Sequence, residues 1–154
     1  MDAELKQAGE AVAGVVTGPG LIVAAAESVT AGGIGQALAA APDASEWFAG
    51  SLVAYRTETK REVLGVTAEA IISAACAEQL VRGVLKLTGA DVAVAVTGVG
   101  GPGDEEGRPA GTVFIAAGAA DDIRVSEHRF DGEPEGIVRA STLHALRLLV
   151  EVSG

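Results

Sequence analysis

Cysteine is almost missing from this chain: Cys76 stands alone, so neither an internal disulfide nor a cage of thiolates around a metal can be assembled. Histidine is nearly as scarce, with only His128 and His144, and no carboxylates sit at ligand-like spacing, so no metal and no cofactor are expected. Basic charge is outnumbered as well. Eleven Lys and Arg face 21 Asp and Glu, for a net charge of −10, with no run of Lys or Arg; such a field repels long DNA or RNA. A small anionic ligand is still compatible with it, because a helix N-terminus and one or two cations hold a phosphate locally. No apolar stretch approaches the roughly 20 residues of a membrane span, and the N-terminal MDAELKQAGEAVAGVV carries acids early, unlike a signal peptide. The 154 residues suffice for one domain, 1–154, with a sizeable core. A cytoplasmic protein is the expectation.

What is present is an alternation of helical and strand-like segments. Leu5, Ala8, Val12 and Val15 recur at helical spacing up to Gly18-Pro19-Gly20. Leu21 to Ala26 reads as a strand buried on both faces, and small residues from Ala31 to Ala41 suit a helix packed closely on the sheet. A strand over Gly50 to Arg56, a short helix over Glu58 to Leu64 and a long helix from about Ala68 to Leu87 follow. Beyond Gly89 come strands at Asp91 to Thr97 and Gly111 to Ala117. Asp122 to Phe130 alternates as a strand with one wet face, and the last helix runs from about Pro134 to Val152. Helices before, between and after the strands predict an α/β fold, a three-layer α/β/α sandwich with a mixed sheet.

Three clusters carry chemistry. In AAAESVTAGGIG, residues 24–35, Glu27, Ser28 and Thr30 gather at the C-terminal end of a buried strand, where open α/β sheets place ligands; the hydroxyls also suit helix capping. In WFAGSLVAYRTETK a short helix after Tyr55 carries Lys60 back toward its strand's end. Desolvated there, the amine becomes a general base for a hydroxyl; solvated, it is an ordinary surface charge. In VTGVGGPG the spelling G-x-G-x-x-G is met by Gly98, Gly100 and Gly103. The segment leads into another strand rather than a helix, so it reads as a loop approaching a ligand and not as a dinucleotide fingerprint. Cys76 and Trp47 read as core, and neither histidine has a visible partner.

Together, AESVTAGG, WFAGSLVAYRTETKREVLGV and VTGVGGPG…RPAGTVFIA resemble the CinA C-terminal domain family, whose free-standing members deamidate nicotinamide mononucleotide (NMN). The resemblance covers nearly the whole chain. It implies a fold like that of anticodon-binding domains, a pyridine-nucleotide partner, and hydrolysis of the NMN carboxamide to nicotinate mononucleotide and ammonia. By motif match Ser28 is the nucleophile and Lys60 the base, with Tyr55 helping to relay or orient a proton and Ser45 as a reserve nucleophile. Glu27, Thr30, Gly32, Ser45, Thr97, Gly98, Gly100 and Gly101 fall where substrate is bound. Amides near Thr30 and Gly32, or in the loop from Gly98 to Gly101, suit an oxyanion or a phosphate.

The chain departs from the family pattern in places. Val29 stands for a cysteine, Ala31 for a glycine, and Ala77 lies where a His- and Ser-bearing segment is common. Gly132-Glu133-Pro134 replaces a G-D-R motif; if that arginine holds the phosphate, about 1.5–3 kcal/mol is lost unless Arg139 or Arg108 substitutes. The alternative implied is a nucleotide-binding or interaction module that has lost turnover. The Asp122 to Phe130 strand offers a pairing edge, so a homo-oligomer is expected.

Overall fold

A computed structural model describes residues 1–154. The element order is α1 (Ala3–Val16), β1 (Val23–Glu27), α2 (Gly33–Ala39), α3 (Ala44–Trp47), β2 (Phe48–Val53), α4 (Thr57–Leu64), α5 (Ala74–Thr88), β3 (Val92–Gly98), β4 (Thr112–Ala119), β5 (Asp122–Arg129) and α6 (Pro134–Ser153). The five strands form one sheet in the order β2-β1-β3-β4-β5. β1 runs parallel to β2 and to β3, whereas β3, β4 and β5 are antiparallel. The sheet is therefore mixed, as the sequence pattern predicts.

Side chains alternate across a strand with period two, and here the two faces differ in size. Val23, Val92, Val94, Val96, Val113 and Ile115 point toward α1, α2 and α6, forming one core. Ala24, Ala26, Ala93, Ala95 and Ala116 point the other way and meet Leu80, Val81 and Val84 of α5. Alanine on that face lets α5 lie close to the sheet. Gly83 brings α5 equally close to the end of α4, since a Cβ there would fall 2.1 Å from the Leu64 carbonyl oxygen. Gly65 and Gly89 end these helices in the left-handed region, each at φ 71°, which glycine adopts without steric cost.

The long helix expected from about Ala68 begins only at Ala74. Its supposed first turns are held as a loop by distant side chains: Gln79 accepts from the amides of Thr67 and Ala68, and Glu106 from those of Ile71 and Ile72. Ser73 then caps α5, its hydroxyl accepting from the Cys76 amide at 3.1 Å. β2 also ends earlier than expected, at Val53; the Ala54 amide still donates to the Glu27 carbonyl at 2.8 Å, and Tyr55 and Arg56 turn into α4.

β5 is an outer strand, but it is not simply dry on one face and wet on the other. Ile123 tucks against the α5 core. From the opposite face His128 stacks on Phe130 and lies 4.9 Å from His144 of α6, ring centre to ring centre. The two histidines therefore do have partners. Arg124, Glu127 and Arg129 are exposed on this strand, the kind of charge that discourages edge pairing. No helix is long and apolar enough to cross a membrane.

Candidate active site

Parallel pairing places the carboxyl ends of β1, β2 and β3 side by side, with Ala26 opposite both Leu52 and Ala95. The turn after β1, the Tyr55-Arg56 lead into α4 and the loop after β3 consequently converge. Between them lies a cavity of about 710 Å³ whose walls include Ser28, Val29, Tyr55, Lys60, Ile71, Ile72, Gly98, Gly100 and Gly101. A Cβ on Gly100 would stand 3.2 Å from Val29 Cγ2, so the glycine loop and the serine turn are in close contact.

Glu27 organises the serine turn. It is 1% exposed, and its carboxylate accepts five hydrogen bonds, from the Thr30 hydroxyl, the amides of Gly32, Ile34 and Gly35, and the Ser51 hydroxyl. Such charge-assisted bonds are the strong class, and a carboxylate at a helix N-terminus also meets the favourable end of the dipole. Glu27, not Thr30, therefore caps α2. Glu27, Thr30 and Gly32 are absent from the cavity wall, because their polar groups are turned to one another. The Gly32 amide expected to meet a ligand is already occupied.

Ser28, directly after this anchored strand end, is 8% exposed. Its carbonyl accepts from the Ala31 amide at 3.0 Å, a tight turn that holds Ala31 at φ 48°, where a side chain is strained. The turn and loop hydrogen bonds leave the amides of Val29, Thr30, Gly100 and Gly101 undonated.

Lys60 is 2% exposed, reaching the cavity from α4. Its Nζ donates to the Tyr55 carbonyl at 2.9 Å. Burial lowers its pKa below the usual 10.5, against the opposing pull of the carboxylates of Glu105 and Glu106. No hydrogen bond joins Lys60 to Ser28; the two share the cavity wall. Tyr55 touches Lys60 through its main chain, while its side chain is 69% exposed at the cavity mouth.

Other expected positions fall elsewhere. Ser45 is exposed on the short α3 and does not line the cavity. Thr97 is fully buried, and its hydroxyl donates to the Ile71 carbonyl at 3.0 Å, bracing the wall from behind. Gly98, Gly100 and Gly101 do line the cavity. Arg139 pairs with Asp2 and Glu4, and Arg108 with Glu127, so neither reaches the site. Pro134 opens α6 and lies outside the cavity wall. Residues missed by sequence reasoning include Ile71 and Ile72 and the charged or polar Arg56, Thr57, Glu58, Asp104, Glu105 and Glu106, all on the wall. The run DEE soon after the glycine loop was the available signal. Groups of His, Cys, Asp and Glu fit to hold a metal ion are not found.

Known proteins share this fold. The model of the CinA C-terminal domain matches residues 5–153. A Bacillus pumilus (strain SAFR-032) protein described as competence-damage inducible is 40% identical over 141 residues, which cover 86% of this chain and 34% of the relative. A CinA-like protein of Syntrophotalea carbinolica is 37% identical, covering 90% and 35%. The chain thus spans about a third of the length of these curated relatives. Among solved structures, a competence/damage inducible protein of Agrobacterium tumefaciens superposes with TM-score 0.93 at 30% identity, covering 100% of this chain and 98% of that one. A CinA superfamily protein of Klebsiella pneumoniae gives 0.91 at 35%, covering 96% of each.

Proposed function

Because the chain belongs to the CinA C-terminal domain family, we propose that it is a serine-type amidohydrolase that cleaves the carboxamide of NMN or a related pyridine nucleotide. One observation carries this reading: a nearly buried serine without a hydroxyl partner and a buried, desolvated lysine line one cavity.

In the reaction, neutral Lys60 takes the proton from Ser28 Oγ as that oxygen bonds to the amide carbon. The Lys60 Nζ swings from the Tyr55 carbonyl to do so; catalytic hydrogen bonds commonly tighten only when substrate is bound. The tetrahedral oxyanion is met by main-chain N–H groups left free by the fold, Val29 and Thr30 on one side, Gly100 and Gly101 on the other. Collapse of the intermediate breaks the C–N bond, and Lys60 returns its proton to the departing nitrogen, giving ammonia. A water then attacks the ester while Lys60 takes its proton, and Ser28 regains a hydrogen as the carboxylate product leaves. Tyr55, at the mouth, orients substrate rather than relaying a proton.

Ammonia release from NMN by the purified protein, beside Ser28→Ala and Lys60→Ala, tests the proposal. Release by the parent and loss in both variants is expected. Release that survives in Ser28→Ala would remove the nucleophile. A second reading, a binding module without turnover, is favoured by the open Ser28 to Lys60 contact; tight NMN binding without ammonia would select it.

A further inference from the structure

The loop that follows β3 lines the cavity at Gly100, Gly101 and residues 103–106, and it is anchored at its base. Val99 is buried in the α5 core; its amide donates to the Thr112 carbonyl at 2.8 Å, and its carbonyl accepts from the Gly111 amide at 2.8 Å. Beyond that base little holds the loop. Residues 102–107 are exposed, and main-chain bonds between Glu105 and Arg108 only close the tip on itself. On the return limb Arg108 reaches Glu127 at 3.6 Å, but both side chains are well exposed, and such a pair contributes little.

Residues 100–106 make hydrogen bonds to another part of the chain through one side chain, Glu106. Its carboxylate accepts the Ile71 amide at 3.0 Å and the Ile72 amide at 2.6 Å, one on each oxygen. What it grips is fixed. Ile71 and Ile72 are buried against the α5 core, and the Ile71 carbonyl accepts the Thr97 hydroxyl at 3.0 Å. Glu106 itself stands at φ 52°, a left-handed conformation that costs an ordinary residue about 1–2 kcal/mol and that glycine or asparagine adopts more readily. Strained residues persist where the surroundings over-determine them; here the determinant is a pair of charge-assisted hydrogen bonds.

Resting on the amidohydrolase reading of this site, we infer that Glu106 is a positioning residue: by clasping the Ile71-Ile72 segment it holds the glycine loop over the cavity and keeps the undonated amides of Gly100 and Gly101 in place for the oxyanion. Glu106 touches no reacting atom. It removes the loop's freedom before substrate arrives, so that the donors need no reorganisation as charge develops.

Two variants separate the clasp from the backbone that carries it. Glu106→Asn suits the left-handed backbone but is too short to span both amides, whereas Glu106→Gln keeps the reach and one acceptor oxygen. Amide nitrogen relaxation on the unliganded proteins reads the loop, and steady-state ammonia release from NMN, measured well below the Tm, reads its consequence. Order parameters of Gly100 and Gly101 are expected near about 0.85 in the parent and below about 0.6 in Glu106→Asn, with Glu106→Gln between them. In Glu106→Asn kcat should fall by roughly tenfold or more, while KM stays within about threefold, because the lost alignment acts on the transition state. A contact that serves only stability would leave kcat of the folded protein unchanged. Unaltered order parameters, or a loosened loop with kcat untouched, would overturn the inference. If even the parent releases no ammonia, the amidohydrolase reading falls, while loosening of Gly100 and Gly101 in Glu106→Asn still upholds the clasp, so the two fail separately.

Discussion

The Glu27 carboxylate accepts the Ser51 hydroxyl at 2.6 Å, so a side-chain bond joins β1 to β2 one residue before Ser28. The remaining acceptor capacity of Glu27 is spent on Thr30 and the first amides of α2. The serine turn is thereby fixed from strand, helix and neighbouring strand at once.

Glu27→Gln places an amide N–H₂ among these donors, leaving at least one of them unmatched. A loss of about 2 kcal/mol is expected, with Tm lower by about 4–8 °C. Urea unfolding with an unchanged slope checks it; a variant as stable as the parent would mean that the network is dispensable.

Lys60 gives a pH signature. Its folded pKa lies below 10.5 because of burial, so between the two values the unfolded chain binds more protons. Stability accordingly rises with pH through that window, and the penalty of burying the cation is fully present below it. Lys60→Met should flatten urea midpoints measured from pH 7 to 10.5. In turnover, kcat/KM should climb with pH through the lowered pKa, and Lys60→Arg, which stays protonated, should lose on the order of 100-fold or more.

Cys76 is fully buried and its thiol is pushed up to about 11, chiefly by desolvation. Thiolate is the reactive form. Disulfide reagents at pH 8 should therefore label no thiol in the native protein and one in denaturant. Fast native labelling would show that the α5 core opens readily.

Ala31 is exposed and held at φ 48°. Ala31→Gly should raise stability by about 0.5–1 kcal/mol, the relief of the left-handed strain less the entropy glycine adds to the unfolded chain. A drop in the urea midpoint would count against that balance.

The histidine pair predicts acid sensitivity. Burial lowers both pKa values below 6.5, aided by His144 at His128 and by Arg147 at His144. Stability from this pair is present above pH 6.5 and lost as pH falls through the lowered values. The variant His128→Gln/His144→Gln should flatten Tm between pH 7 and 5; an unchanged slope would assign the effect to other groups.

The layers and the mixed sheet were legible because apolar runs and helical periods are local signals. Ser28, Lys60 and the glycine loop were legible as motif positions, and strand-end geometry brings them to one cavity. The capping role went to Glu27 because a five-fold acceptor site depends on Ser51, which sequence distance hides. The late start of α5 was hidden likewise, since Gln79 and Glu106 reach back across the chain to hold Thr67 to Ile72 open. Ser45 matched a motif, yet α3 turns it to solvent.

β1 gains its neighbours from far along the chain, Val23 lying opposite Phe48 and Val92, whereas β3, β4 and β5 follow one another as a meander. Distant pairings carry a larger loop-closure entropy than local ones. The strand that carries Ser28 into place therefore lies between β2 and the meander and depends on long-range pairing on both sides. The cavity at the carboxyl end of β1 is therefore complete only when three segments far apart in the chain have come together.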